Sequence, residues 1–245
     1  RVSSSAASDV YKRQSIADER KKLLKDFGLN IHRPKRPSST WVRITALGSY
    51  REVGRACHLV TTNESRVMVD VGVNIASDTD PMPYFTAPEA LPLEKLDAVV
   101  LTHSHLDHAG MLPVLFKYGY RGPVYCTPPT RDLMLLLQTD YIKVGGAEGK
   151  RPAYDMEDIR TCMKHVVDVE WGETTDITPD IKLTMSNAGH ILGSSALHMH
   201  VADGKHNIVF SGDQKYEKSW LFDAANTRFP KVCLLYTSPS PRDGW

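Results

Sequence analysis

The feature that most constrains how this chain folds is the stretch LTHSHLDH, which holds four metal-ligand side chains within six residues. It follows an apolar run, residues 98–101, that is typical of a buried strand, and it precedes a segment that begins like a helix. His103 and His105 are two residues apart, so an extended backbone directs both side chains to the same side. Asp107 and His108 follow where the chain turns into the helix, and they can face the same space. The stretch therefore predicts a metal site at a strand-to-helix turn.

The number of ligands in this stretch favours two metal ions over one. Imidazole nitrogen and carboxylate oxygen are the usual ligands of catalytic zinc, which keeps one coordination position open for water. Four ligands this close together exceed what one open tetrahedral ion accepts when more distant ligands also contribute. Two metal ions ~4 Å apart lower the pKa of a bridging water and clamp an ester or a phosphate. The same ligand types accept manganese or iron, so the residues leave the identity of the metal open.

Three other strand-like runs end at a residue of ligand type with a glycine close by. They lead to Asp70, His190 and Asp213, and glycine at such positions permits the tight backbone that a site requires. A single histidine at the end of a strand is usually a hydrogen-bonded surface group. Separate imidazole and carboxylate positions after several strands, together with residues 103–108, favour a shared metal site instead.

These positions resemble the successive motifs of the metallo-β-lactamase superfamily. The motif residues are Asp70, the run from His103 to His108, His190 and Asp213. Further stretches resemble the β-CASP branch of that superfamily, which acts on nucleic acids, and in particular its archaeal ribonucleases related to the cleavage and polyadenylation specificity factor, which carry KH domains. Those stretches are residues 48–55, 129–133 with 140–142, and 189–194. The resemblance covers residues 41–232.

The resemblance implies a fold and a ligand set. The implied fold is α/β, the αββα sandwich of the superfamily, present as its amino-terminal part without the β-CASP insert. The implied cofactors are two Zn²⁺ ions, and the implied metal ligands are His103, His105, Asp107, His108, His190 and Asp213. The two ions would share Asp213. The first ion would be bound by His103, His105 and His190, and the second by Asp107 and His108. The carboxylates Asp70, Asp107 and Asp213 are the predicted catalytic residues, because Asp70 would orient ligands from behind and Asp107 would steer a proton.

The function that the resemblance implies is zinc-dependent cleavage of RNA in 3′-end processing or transcription termination. RNA, the transcription machinery and, for the longer parent protein, a second copy in a homodimer are the implied partners. One departure from the family pattern concerns the last ligand. The final histidine of the chain is His206, so no residue after Asp213 supplies the imidazole that the family places on its second metal. We therefore expect the chain as given to bind metal incompletely and to be a weak catalyst.

Two other functions use the same residues. A small-molecule hydrolase of the superfamily, acting on a thioester, lactam or lactone, shares the stretch from His103 to His108 but needs its last histidine soon after Asp213. A non-catalytic β-CASP scaffold subunit is the alternative without enzymatic activity. Such subunits lose ligand residues, whereas this chain keeps each ligand position within its span.

Both ends of the chain resemble translated sequencing adapters. We set residues 1–14 and 233–245 aside, and interpret residues 41–232 as a partial metallo-β-lactamase domain. Residues 15–40 are expected to form a linker after an upstream KH region, with a short charged helix over 15–25 and a proline-containing stretch over 32–39. Without both ends the net charge changes from +1 to −1, so bulk charge shows no basic footprint for a nucleic acid.

The apolar runs and the cysteines of the sequence bear on membrane contact and on the cellular compartment. No run approaches the ~20 apolar residues of a membrane span, and no signal peptide is evident, so no membrane partner is expected. The cysteines form no CxxC pair, which favours reduced thiols and a cytoplasmic protein. Several residues of ligand or stacking type are interpreted as structural or left unassigned. His198 and His200 are interpreted as structural, with lining of the cleft as the alternative, and His58, His165 and His206 are left unassigned. Tyr84 and Trp171 are interpreted as packing residues, with stacking on a base as the alternative.

Overall fold

The computed structural model describes residues 4–35, 41–77, 79–149 and 151–237, with side chains from residue 16 onward. Residues 36–40 of the expected linker, and residues 1–3 and 238–245 of the adapter-like ends, lie outside the described residues. Within the described ranges, no helix is both long enough and apolar enough to cross a bilayer.

The described elements are five α-helices and eleven strands, with most of the helices between β4 and β6. The helices are α1 (Ser4–Ile31), α2 (Leu106–Ala109), α3 (Leu112–Lys117), α4 (Pro128–Ala147) and α5 (Met156–Lys164), with a single 3-10 turn at Leu93–Lys95. The strands are β1 (Arg43–Ala46), β2 (His58–Thr61), β3 (Arg66–Val69), β4 (Ala98–Val100), β5 (Val124–Cys126), β6 (Val166–Asp168), β7 (Thr174–Thr178), β8 (Ile181–Asn187), β9 (Ser195–Val201), β10 (His206–Phe210) and β11 (Leu234–Tyr236).

The strands form two sheets, and the first sheet positions the predicted metal site. Its order is β1-β2-β3-β4-β5-β6, antiparallel from β1 to β3 and parallel from β3 to β6. Helices α2 to α5 occupy the crossovers that parallel strands require. Because β3 and β4 are parallel neighbours, their carboxyl ends meet at one edge, and the residues that follow them, Asp70 and 101–108, come together there. The second sheet has the order β11-β10-β9-β8-β7, in which only β11 pairs in parallel.

Two apolar cores lie on the two faces of the first sheet. Along β2 and β4, Leu59 and Val99 face the helices, whereas Val60 and Val100 face the second sheet. All four side chains are fully buried, as expected for parallel-type strands covered on both faces. The helices, the first sheet and the second sheet are therefore successive layers, and this is the α/β sandwich that the sequence predicted.

Helix α1 differs from the sequence prediction, which placed a short helix over residues 15–25 in a linker. The helix extends from Ser4 to Ile31 and so includes residues of the amino-terminal segment that was set aside. No proline interrupts the chain before residue 34, and alanine, lysine and leucine favour a helix. The Arg20 guanidinium donates to the carbonyls of Lys164 and Val166 at 3.1 and 2.9 Å, which anchors α1 on the domain.

Strand β11 also comes from a segment that was set aside. Its Leu235 pairs with Val209 of β10. An apolar run of β-forming residues adds readily to an open sheet edge.

Candidate metal centre

The local fold around the stretch 103–108 follows the prediction from its sequence. Strand β4 ends at Val100, and α2 begins at Leu106 with His105 as its extended N-cap residue. His103 is fully buried, and Asp107 and His108 lie in the single turn of α2. Backbone close to the site is tight at Gly72, where a Cβ would lie 1.6 Å from the carbonyl oxygen of Asp107. Only glycine fits there, so α2 can lie directly against the end of β3.

Three imidazoles and one carboxylate converge at the sheet edge. The Nε2 atoms of His103 and His190 lie 3.1 and 3.2 Å from Nδ1 of His105. Asp213 Oδ2 lies 3.6 Å from His190 Nε2, and ligand atoms of all four residues fall within 4.8 Å of one another. A tetrahedral ion with bonds of ~2.1 Å holds its ligand atoms ~3.4 Å apart, so this spacing fits a zinc-type ion.

A second group of ligand atoms lies on the other side of Asp213. His108 Nε2 is 3.4 Å from Asp213 Oδ1 and 3.8 Å from Asp107 Oδ2. Asp213 therefore directs one carboxylate oxygen to each group. Its Oδ1 atom is buried without a hydrogen-bond partner, and such an orphaned oxygen is costly unless a cation binds it. The arrangement fits two ions that share Asp213, with fewer chain ligands in the second group than in the first.

Asp70 is hydrogen-bonded to one ligand residue directly and to another through Thr102. Its Oδ1 accepts the Thr102 backbone N–H at 2.8 Å, and its Oδ2 accepts from the Thr102 hydroxyl at 2.9 Å and from His108 Nδ1 at 2.8 Å. The Thr102 hydroxyl in turn lies 3.0 Å from His103 Nδ1. These bonds place protons on the Nδ1 atoms of both histidines, which leaves both Nε2 atoms free to bind a metal. Asp70 achieves this geometry at a φ of 57°, where aspartate is one of the better tolerated residues.

The electrostatics of the site favour neutral imidazoles in the first group. Burial, with the neighbouring histidine charges, lowers the pKa of His103 well below its usual range, and burial also lowers the pKa of His190. Burial alone would lower the pKa of His108, but Asp70, Asp213 and Asp107 outweigh it and raise the pKa to about 10. Burial alone would raise the pKa of Asp213, but the charges of His108, His190 and His105 outweigh it and lower the pKa. Metals bind neutral imidazoles and ionised carboxylates, so His108 must release the proton on Nε2 when a metal binds there.

The loop that carries His190 is held by the amino-terminal end of α4. Ser194 Oγ accepts the backbone N–H groups of His190 and Ile191 at 3.1 and 3.2 Å. The Gly193 carbonyl accepts the Thr127 hydroxyl at 2.7 Å and the Thr130 hydroxyl at 3.2 Å. Two stretches that resemble β-CASP motifs, 129–133 and 189–194, therefore meet directly beside the site.

The stretch 48–55, which also resembles the β-CASP branch, is joined by Arg55 to residues 80–84. Its guanidinium contacts Glu52 at 2.6 Å and Asp80 at 2.5 Å, and it lies 4.6 Å from the centre of the Tyr84 ring. The Glu52 hydrogen bond, ahead of the cost of burial, raises the pKa of Arg55 above its usual range. The neighbouring Ala56 N–H donates to the Asp107 carbonyl at 2.8 Å, which links this stretch to α2.

Residues interpreted as structural lie outside the site. His200 bonds to Asn207 and Thr184 within the second sheet, and its ring stacks beside His198 at 4.1 Å. Tyr84 packs on Arg55, and the Trp171 indole donates to Ser195 Oγ at 2.9 Å.

Sequence reasoning missed Thr102, Ser194 and the partners of Arg55. Thr102 directly precedes the first histidine, and that position was its only signal.

Comparison with known proteins supports the family assignment. The model of the metallo-beta-lactamase superfamily domain matches residues 59–231. The chain is 56% identical over 214 residues to transcription termination factor FttA of Methanosarcina mazei, which covers 87% of this chain and 34% of that protein. It is 50% identical over 219 residues to the factor of the same name from Methanothermobacter thermautotrophicus, covering 89% of this chain and 34% of that protein.

The chain therefore spans about a third of the length of the curated relatives it matches. Among solved structures, a protein of unknown function from Enterococcus faecalis has the same fold, with a TM-score of 0.50 and 16% identity over 73% of this chain and 44% of that chain. At this identity the structural likeness concerns the fold alone.

Proposed function

The chain belongs to the metallo-beta-lactamase superfamily, and from that premise we propose that it forms the metal-binding part of a ribonuclease. The proposed activity is hydrolysis of RNA phosphodiester bonds at RNA 3′ ends or during transcription termination. The observation that carries this proposal is the convergence of His103, His105, His190 and Asp213, with His108 and Asp107 on the other side of Asp213. The domain that holds the site is proposed to be residues 41–232.

Two zinc ions are proposed as the cofactors. The first would be held by His103, His105, His190 and Asp213, and the second by Asp107 and His108 with Asp213 shared. When bound, such ions lower the pKa of water and stabilise negative charge on a phosphoryl group.

The residues of the chain hold the site in place and can move a proton. Asp70 fixes the orientation of His108 through the 2.8 Å bond to Nδ1, and through Thr102 it fixes the orientation of His103. Asp107 is the half-buried carboxylate of the site, with its Oδ2 only 3.8 Å from His108 Nε2. An ionised carboxylate in that position can accept the proton that an attacking water gives up. Asp70, Asp107 and Asp213 are therefore the proposed catalytic carboxylates.

RNA is proposed as the substrate, rather than a small ester or lactam, because two observations agree. Relatives with about half their residues identical to this chain are named transcription termination factors. In addition, two of the stretches that resemble the nucleic-acid branch meet beside His190, where the Gly193 carbonyl accepts the Thr130 hydroxyl. The stretch 48–55 directly precedes Ala56, whose N–H donates to the Asp107 carbonyl. Partners in the transcription machinery are part of the same proposal.

The test compares substrates with the chain in excess, so that slow cleavage is detected in a single turnover. Zinc-loaded protein is incubated with end-labelled single-stranded RNA, and in parallel with a chromogenic β-lactam and an acyl thioester. We expect RNA to be cut, with cleavage removed by a chelator and by Asp213→Ala. Turnover of a small substrate with intact RNA would instead support the small-molecule hydrolase.

A further inference from the structure

The segment that follows Asp213, residues 214–226, is a loop fixed to the metal centre at its base. The Lys215 N–H donates to the Ala188 carbonyl at 3.0 Å, and the Ala225 N–H donates back to the Lys215 carbonyl at 2.8 Å. The Asn226 N–H donates to the Asn187 carbonyl at 2.8 Å, so both ends of the loop lie against the strand end that leads to His190. The loop, called here the 214–226 loop, therefore follows one predicted metal ligand, Asp213, and is hydrogen-bonded to the segment that leads to another, His190.

The tip of this loop is a small ordered turn that presents two large apolar side chains. The Ser219 N–H donates to the Phe222 carbonyl at 2.9 Å, and the Phe222 N–H donates to Ser219 Oγ at 3.0 Å. Trp220 and Leu221 lie between these bonds, and their exposed fractions are 101% and 84%. Because Trp220 and Leu221 are adjacent and both exposed, they form one contiguous apolar patch on a hydrogen-bonded turn.

A second aromatic side chain lies closer to the centre. Tyr216, three residues after Asp213, is 64% exposed, and its hydroxyl donates to the Gln214 side chain. That bond restricts the ring without covering its faces. Tyr216 and Trp220 therefore offer two open π-faces on a loop whose base is fixed beside the site.

Cationic side chains lie among these aromatic residues, although the loop has no net charge. The 214–226 loop contains Lys215 and Lys218 against Glu217 and Asp223, and Arg228 and Lys231 follow it, whereas residues 15–232 together carry a net charge of −1. Lys218 is paired with Asp223 at 3.1 Å, but both side chains are more than three-quarters exposed, so a phosphate can compete for the lysine. Open aromatic faces interleaved with cationic side chains are the chemistry that binds single-stranded nucleic acid, whose bases stack while its phosphates are neutralised.

We propose that the 214–226 loop is a stacking platform for single-stranded RNA, with Trp220 and Tyr216 as the residues that bind bases. The proposal rests on the proposed ribonuclease function and names a binding element for its substrate. Because the loop continues directly from Asp213, a strand whose bases stack on it would be directed toward the ligand cluster. The loop explains how a domain without net positive charge binds a polyanion: stacking, which does not depend on net charge, supplies part of the affinity.

The experiment measures binding without catalysis. Fluorescence anisotropy of a labelled oligouridine is titrated with the chain in the presence of a chelator, so that metal content and cleavage have no influence. Trp220→Ala and Tyr216→Ala are expected to raise Kd by about tenfold each, and Trp220→Phe by much less, because a phenyl ring still stacks.

The matched control is Trp41→Ala. Trp41 is also exposed, at 42%, with Arg43 over its ring at 5.6 Å. Trp41 precedes β1, which runs parallel to β3. It therefore lies near the amino ends of these strands, whereas the metal centre lies at the carboxyl end of β3. Removal of the Trp41 side chain is expected to leave Kd unchanged. Thermal unfolding of the loop variants should match wild type, because neither side chain is buried.

The outcomes separate this proposal from the proposed function. If the chain binds and cleaves RNA while Trp220→Ala and Tyr216→Ala retain the wild-type Kd, the platform is wrong and the ribonuclease stands. Equal weakening by Trp41→Ala would also overturn the platform, because binding would then not be specific to the loop. If the wild-type chain neither binds nor cleaves RNA, the ribonuclease proposal itself fails.

Discussion

Asp70→Asn is the substitution that tests the supporting bonds of the metal centre most sharply. Asparagine tolerates the positive φ of this position, so the backbone is preserved and only the charge and one acceptor are lost. In wild type, both oxygens accept, and Oδ2 receives the proton on His108 Nδ1 at 2.8 Å. In the variant, the amide oxygen of Asn can replace Oδ1 as the acceptor of the Thr102 N–H. The amide NH₂ group then faces His108 Nδ1. The imidazole must then carry its proton on Nε2, the atom directed at Asp213, and that nitrogen can no longer bind a metal.

The size of the effect follows from what is exchanged. A buried hydrogen bond to a carboxylate is replaced by one between neutral groups, which costs roughly 1–2 kcal/mol. Loss of such a supporting partner typically weakens metal binding about 10- to 100-fold. The cost of the exchanged hydrogen bond and the loss of metal affinity overlap in size, because tenfold corresponds to about 1.4 kcal/mol and 100-fold to about 2.7 kcal/mol. The second ion, which depends on His108, is expected to be weakened more than the first.

The assay is a competitive zinc titration against a chromogenic chelator, with urea unfolding of the metal-free protein measured in parallel. Asp176→Asn is the matched control, because Asp176 is exposed and forms only a surface pair with Lys182 at 3.6 Å. The control should bind zinc like wild type. If Asp70→Asn binds both ions within a factor of about three of wild type, below the expected range, Asp70 does not set the state of His108.

Three further predictions concern the shared carboxylate, the His190 loop and a buried histidine. Asp213→Ala should lower the zinc content measured by mass spectrometry and abolish single-turnover RNA cleavage, since one oxygen faces each ligand group; unchanged metal and turnover would refute a shared role. Gly193→Ala should destabilise the protein in urea by at least about 1 kcal/mol more than Gly149→Ala. Both glycines have positive φ, but a Cβ at Gly193 would lie 2.6 Å from Thr127 Oγ1 whereas Gly149 has open space, so equal losses would contradict the clash. Burial lowers the pKa of His58 to about 4, below the value in the unfolded chain. As the pH falls, His58 is therefore protonated in the unfolded chain before it is protonated in the folded one. The free energy of unfolding is then at its full value above about pH 6.5 and decreases below it. Between about pH 7 and about pH 4.5 wild type should lose about 2.5 kcal/mol more than His58→Phe, and equal losses in urea titrations would rule out this contribution.

The strand, turn and short helix around residues 103–108 could be predicted from the sequence because they are local. A buried strand, a turn and a short helix bring His103 to His108 into one space whatever surrounds them. The hydrogen bonds between Asp70 and Thr102 depend on parallel pairing of β3 with β4, so they could not be predicted from either strand alone.

Other features depend on partners that are distant in the sequence. No local pattern tells that His105 presents Nδ1 while His103 and His190 present Nε2, because ring orientation follows from the packing of three separate segments. The Arg55 contacts join two loops whose relative position only the folded chain defines. The length of α1 was underestimated for a different reason: residues 1–14 were set aside, although no proline ends a helix before residue 34.

The central claim is that Asp213 lies between two metal positions, and diffraction from zinc-grown crystals at the zinc absorption edge tests it most directly. We predict a strong anomalous peak within bonding distance of His103 Nε2, His105 Nδ1, His190 Nε2 and Asp213 Oδ2. A weaker peak is predicted between His108 Nε2, Asp107 and Asp213 Oδ1. Zinc found elsewhere on the chain, with no peak among these atoms, would contradict the metal centre and the ribonuclease function built on it.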